Sequence, residues 1–530
     1  MIGRLAGLWP GRVRLASRHK VSTRVAGRMK PSKTSEAADE SEDETICSHD
    51  APDAAAIELL PDALLITVLG FADDPARLAF VVSSKPVATR LKHERDAIVD
   101  KLNSTDSSAQ LQATRQLYTM LRAFVYASRP VRMIVDAGVV PRLVEFLEID
   151  ATEIQREAVG VITTSALSDS VFVDVLVEAG GVPILCRLLR SPDKQFRRQV
   201  PWALVQVLSD SPYDHDARPR RDLMLEHGAF ESVLQTLHES SKIQHVLGCV
   251  RLLARLCHPQ LELERSRPAI AAFAKFIEFP DDRVRLFACQ GLAFVSDCGS
   301  ERAQAVIDTG ACPRLIELLS HPSLEITTCA IFIVGNLCST DDDHQSQLMV
   351  DLSVLPRLLA LLDQPNEDMC REALWTIGNL CAGPFEHIQA VFGVDDLVTR
   401  VIELLGASNL RIRREAVTVV HNITRNTGPG LQSVLVNLGC IPLLCKLLKL
   451  EATFDDFAVQ DDAQSTAIYA LISLRNIIDA TGVFRECISE TVLETIKSLQ
   501  HHEDENLSTA AGELFDALAP RLVRTDYVRS

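Results

Sequence analysis

Glu372-Ala373-Leu374-Trp375-Thr376-Ile377-Gly378-Asn379 decides the reading of this 530-residue chain. The phrase returns 43 positions later as Glu415-Ala416-Val417-Thr418-Val419-Val420-His421-Asn422, and 43 positions earlier as Phe332-Ile333-Val334-Gly335-Asn336. A second phrase keeps the same beat: Ala137-Gly138-Val139-Val140-Pro141, Ala179-Gly180-Gly181-Val182-Pro183, Thr309-Gly310-Ala311-Cys312-Pro313 and Leu438-Gly439-Cys440-Ile441-Pro442. A leucine-rich helical segment follows each. Self-similarity at a fixed period marks a repeat architecture, in which a unit buries its faces only against its neighbours.

A period of about 40–47 residues with helical patterning belongs to armadillo and HEAT arrays. The expected fold class is all-α, a right-handed armadillo-repeat superhelical solenoid of about ten helical repeats. Units start near 110, 151, 193, 240, 281, 322, 365, 408 and 463, and a degenerate helix pair follows near 489–520. Each unit reads as a short helix, a second helix carrying Trp or Phe and Asn, a loop with Gly, and a long Leu-rich third helix. Gly before the third helix supplies freedom at a sharp turn. Pro183 and its counterparts suit a first helical turn. An insertion near Pro212–Arg221 lengthens one loop, and Leu450–Asp462 forms a longer acidic linker. The domain plan is an arm at 1–53, a helical patch at 54–100, the array at 108–523 and a tail at 524–530.

Hydrophobic residues make up 47% of the chain and aromatics only 5%, so aliphatic side chains carry the core. The net charge of −17 speaks for basic partners or for plain solubility, and against nucleic acid. The 14 Cys are scattered through apolar segments without a C-x-x-C, which reads as free buried thiols in a reducing compartment. No uninterrupted apolar run reaches the roughly 18 residues of a membrane span, and no membrane partner is expected.

Residues 1–35 hold nine Lys/Arg and no acid, and 36–53 then turn acidic with Glu36, Asp39, Glu40, Glu42, Asp43 and Glu44. Neither has a helical apolar period, so the arm reads as disordered. It is a solvated tail, a self-binding or partner-binding arm, or an Arg-rich organellar presequence. Within 57–97, Leu60-Pro61 opens a helix whose Leu64, Leu65, Val68 and Leu69 share a face. This stretch resembles an F-box, which implies docking to a Skp-type ubiquitin-ligase adaptor. The Trp usual near an F-box end is replaced around Lys85-Pro86. A helical cap on the solenoid is the other reading.

No catalytic set emerges. The histidines follow no metal-ligand spacing, and no phosphate loop or Ser/His/Asp grouping is visible. No enzyme activity, cofactor or metal is expected. The repeated aromatic and Asn, four apart, project from one stripe of a helix. An Asn amide offers both donor and acceptor, so it can pair with the backbone of an extended peptide. Flat indoles on adjacent turns form slots for the stems of Lys or Arg and attract their charged heads. Acids on the walls then select basic peptides.

Glu372–Gly383, Val200–Asp210, Gly335–Asp343 and Leu499–Asn506 carry a closer likeness: the solenoid resembles importin-alpha, an armadillo adaptor for cargo with basic nuclear localisation signals. The resemblance covers about 410 residues and implies a cytoplasmic and nuclear location. In the N-terminal units, the family's Trp and Asn slots hold Gly160 and Thr164, Trp202 and Gln206, then Arg251 and Arg255, with Asp210 at the place of a lysine-selecting acid. Arg251 and Arg255 would repel a basic peptide. Gln290 and Phe294 follow. The C-terminal units hold Phe332 and Asn336, Trp375 and Asn379, Thr418 and Asn422, while Asp342, Ser346, Glu372 and Glu415 match the lining of the family's minor site. A basic-peptide site is therefore expected to centre on 332–422. The family recruits importin-beta through an arm with Arg clusters, whereas the basics here are single and spaced. Two rivals stand beside this reading: a ubiquitin-ligase substrate receptor, and a general armadillo scaffold.

Overall fold

The computed structural model describes residues 95–123, 128–208, 218–258, 261–297, 299–449, 457–482 and 489–526. The arm at 1–53, the F-box-like stretch as far as residue 94, Asp210 and residues 527–530 lie outside these. The described residues are helices and short turns, with no strand among them. They fall into two compact units that divide between Leu256 and Cys257.

One unit holds three helical triplets. Ser107–Ala123, Ser128–Asp136 and Val139–Phe146 form the first, and Thr152–Ser168, Ser170–Glu178 and Gly181–Leu188 the second. Lys194–Val207, Arg218–Glu226 and Ala229–Glu239 follow, and Ile243–Leu256 closes the unit. The long first helices stack on one another in chain order. Their seam is aliphatic: Ala158, Val161, Ile162, Ala203, Leu204, Val250 and Leu253 are all fully buried.

The other unit repeats the plan. Its long helices Asp282–Ser296, Leu324–Cys338, Glu367–Ala382, Leu410–Asn426 and Phe457–Thr481 stack in order, and Glu505–Asp526 packs on the last of them. Leu263–Phe276 stands at its start as one helix of 14 residues where other repeats have two. The sequence there lacks the Gly that breaks the others, and Pro268 is absorbed inside the helix.

The helix plan within a unit differs from the sequence reading. The expected short first helix and the Trp/Asn helix are one helix, as in the 16 residues of Glu367–Ala382. Met369, Cys370, Ala373, Leu374, Ile377, Leu380 and Cys381 are buried along it at helical spacing, so nothing interrupts it. A short helix such as Phe385–Phe392 comes next, and the Leu-rich helix after the turn is short, not long. Cys312–Leu318 has 7 residues and Gly181–Leu188 has 8. Pro192, Pro322 and Pro365, three or four residues beyond such helices, exclude their continuation.

The turn into each Leu-rich helix is left-handed. Gly180 has φ 77° and Gly439 φ 81°, which costs a glycine little. Ser353 and Asp396 take the same place at φ 61° and 63° without being glycine, a conformation that costs an L-residue roughly 1–2 kcal/mol. Eleven cysteines are buried among the described residues. Burial pushes the Cys249 and Cys381 thiols up to about 12, so they stay protonated and pack as small apolar groups.

Candidate peptide-binding site

The repeated phrase sits where two long helices touch, and its residues first serve that contact. Trp375 lies against the backbone of Gly335 on the preceding long helix. A Cβ at Gly335 would stand 2.1 Å from the indole Cζ3, so only glycine admits the ring. The indole is left 8% exposed and Phe332 3%. Thr418 faces Gly378 in the same relation, but a Cβ there would meet only ordinary contacts of 3.7–3.9 Å from Val419 and Thr418.

Each Asn also reaches back one repeat. Asn336 Nδ2 donates to Ser296 Oγ at 3.1 Å, and Asn379 Nδ2 to Gly335 O at 3.4 Å. Asn422 Nδ2 donates to Gly378 O at 2.9 Å, and Asn426 Nδ2 to Cys381 O at 3.2 Å. Asn336 is buried, whereas Asn379 and Asn422 are half-buried. One amide hydrogen of each is committed to the neighbouring repeat. The carboxamide oxygen of each remains an acceptor, as an extended peptide backbone would require.

Charge on this ladder is mostly acid and paired cation. Glu372 is buried and accepts from Arg371 Nη2 at 2.8 Å, while Asp368 lies 3.6 Å from the same nitrogen. Glu415 is buried one turn before Thr418. Arg414 is held by Asp462 from the next long helix, and Arg411 approaches the other oxygen of that carboxylate at 4.0 Å. Among the described residues no group of His, Cys, Asp and Glu could hold a metal ion.

Phe332, Asn336, Glu372, Trp375, Asn379, Glu415 and Asn422 thus lie on three successive stacked helices. Phe294 is on the helix before them, buried and stacked on His258 with centroids 4.4 Å apart. Asp342 and Ser346 are off the ladder. Asp342 caps Asp343–Asp351 by accepting from the His344 amide, and buried Ser346 donates to Asp343 O at 3.1 Å. Trp202 and Gln206 are on the other unit, both half-buried on Lys194–Val207.

Two ladder residues escaped the sequence reading. Tyr118 packs its ring on Gly160, where a Cβ would lie 3.1 Å from the ring. It carries Arg122, not Asn, four residues later, so the Trp–Asn pattern did not mark it; its distance before Gly160 is the remaining signal. Tyr469 stacks on His421 with centroids 4.8 Å apart at 23°. The linker at 450–462 moves it out of the 43-residue register. His421 stands where the preceding repeats have glycine. Burial, with help from Arg425, lowers its pKa to about 4, so the ring is neutral at pH 7.

The repeats and the fold are similar to those of known proteins. A model of the armadillo/beta-catenin-like repeat matches residues 128–163, 169–208 and 342–382. Importin subunit alpha-1b of Oryza sativa subsp. japonica is 37% identical over 260 residues, 47% of this chain and 47% of its own. Importin subunit alpha-2 of Arabidopsis thaliana is 36% identical over 250 residues, 46% and 45% of the two chains. The chain spans about half the length of the curated relatives it matches. A crystal structure of an engineered protein shares the fold at a TM-score of 0.68 and 23% identity, covering 80% of this chain and 99% of that one.

Two outcomes follow for the ladder. Gly335→Ala should cost about 1–3 kcal/mol by displacing Trp375, while Gly378→Ala should be neutral or stabilising by up to about 1 kcal/mol; urea midpoints of the two variants compare them. For His421 the folded pKa lies below the unfolded 6.5, so its contribution is complete above pH 6.5 and is lost as pH falls toward 4. His421→Gln should therefore flatten the fall in melting temperature between pH 6.5 and 4 relative to the parent chain. The chain is an all-α repeat protein that carries armadillo/beta-catenin-like repeats and is similar to importin alpha subunits over about half its length.

Proposed function

We propose that this protein is a non-enzymatic adaptor that binds Lys/Arg-rich segments of other proteins, as nuclear localisation signals are, and brings them into the nucleus. The site is the ladder of Phe332–Asn336, Trp375–Asn379 and Thr418–Asn422, and the cargo segment lies extended across it. The observation that carries this reading is the register of Asn379 and Asn422. Each is anchored to the repeat before it and each keeps an acceptor beside a slot residue. Two acceptors one repeat apart fit the donors of an extended backbone, and Glu372 and Glu415, one turn before the slot residues Trp375 and Thr418, add negative charge that favours cationic side chains. The net charge of −17 acts in the same direction over a longer range. Similarity to importin alpha subunits supports the transport role and a working place in both cytoplasm and nucleus.

The test is a fluorescence-anisotropy titration of a labelled Lys/Arg-rich peptide. Trp375→Ala and Asn379→Ala should each weaken binding about tenfold or more, as expected for the loss of about 1.4 kcal/mol or more. Raising salt should weaken binding to the parent chain as well. Unchanged affinity in both variants would remove the site from this ladder.

A further inference from the structure

In the unit that ends at Leu256, the position equivalent to Trp375 runs Tyr118, Gly160, Trp202 and Arg251 along the stacked long helices. The position equivalent to Asn379 runs Arg122, Thr164, Gln206 and Arg255. The last step of this series is closed from within. The guanidinium carbon of Arg251 lies 5.2 Å from the centroid of the Trp202 ring, inside cation–π range. Gly248, on the same helix as Arg251, makes the approach possible: a Cβ there would stand 3.1 Å from Trp202 Nε1 and 3.2 Å from Pro201 Cβ. Arg255, one turn further on, donates from Nη2 to Leu208 O at 2.6 Å and so ties this helix to the end of Lys194–Val207. Burial first, and the neighbouring Arg255 second, disfavour the charged form of Arg251. The arginine is therefore held at the indole by packing against an electrostatic cost.

We infer that Arg251 is an internal occupant of the Trp202 slot, and that it makes the ladder of this unit refuse the basic segments that the Trp375 ladder accepts. This rests on the function proposed above for the nature of the ligand. A lysine or arginine arriving from outside would have to displace Arg251 from the indole and then lie beside Arg255. Both steps oppose binding: one loses an existing cation–π contact, and the other sets like charges together. Arg251 thus determines specificity through Trp202, and the chain offers one basic-peptide ladder in place of two.

The three tryptophans, Trp9, Trp202 and Trp375, make this measurable in the full chain. A W9F/W375F protein reports Trp202 alone, and a W9F/W202F protein reports Trp375 alone. In the first, with Arg251 present, emission should be unmoved by a Lys/Arg-rich peptide and weakly quenched by acrylamide. Adding R251A, or R251Q, which keeps much of the volume, should raise the quenching constant about twofold with unchanged helical circular dichroism. Either change should also bring a saturable response to the peptide. Unchanged quenching in both variants would overturn the inference, as would a peptide response of Trp202 with Arg251 in place. A silent Trp375 in the W9F/W202F protein would instead overturn the proposed function, and acrylamide quenching alone would then decide whether Arg251 occupies the slot.

Discussion

Trp375 lying on the backbone of Gly335 is the contact on which the C-terminal ladder depends. Burying an indole removes on the order of 200 Å² from water, worth roughly 5 kcal/mol before entropy is counted. That gain requires one long helix to approach the next closely enough to touch its backbone, and Gly335 permits it. Asn422 and Asn426 then fix the rotation of one helix on another by hydrogen bonds to Gly378 O and Cys381 O. Packing alone would tolerate sliding along an aliphatic seam; directed bonds do not. The residues of the proposed binding surface are therefore the residues that set the register of the stack. A solenoid built from nearest-neighbour contacts has to place them there.

The two ladders share this construction and differ in chemistry. Around Trp375 and Asn379 the cations are already satisfied: Arg371 by Glu372, and Arg414 by Asp462. Around Trp202 the neighbouring repeat supplies Arg251 to the indole and Arg255 to a carbonyl. The proposed basic ligand would find the Asn acceptors in one case and arginines in the other. Replacing a slot Trp by Arg keeps the helix and the stack, because the long aliphatic stem still packs. It reverses what the surface selects.

The sequence carried the repeat well and the helix boundaries less well. Periodic Gly–Asn pairs and the Gly-x-x-Pro turns made an armadillo array legible, since both are imposed by backbone geometry at fixed places. The expected short first helix and the Trp/Asn helix are one helix, as Glu367–Ala382 shows, buried at helical spacing along its length. In Leu324–Cys338 the phrase's glycine, Gly335, admits the Trp375 ring within a continuous helix. Tyr469 was hidden by an insertion that shifts the period, and Tyr118 by a change of its partner from Asn to Arg. Asp342 and Ser346 were aligned by likeness, and both make local bonds at the start of the short helix that follows Leu324–Cys338. Sequence spacing locates a residue on a helix, but which neighbour it meets depends on the stacking.

Photo-crosslinking with a Lys/Arg-rich peptide bearing a benzophenone at successive positions, followed by mass-spectrometric mapping, would locate the bound segment. Adducts are expected on 328–338, 371–382 and 411–426, in an order that moves one repeat at a time as the label moves along the peptide. Adducts concentrated on 194–207 and 243–256, or scattered without order over both units, would contradict the proposed site.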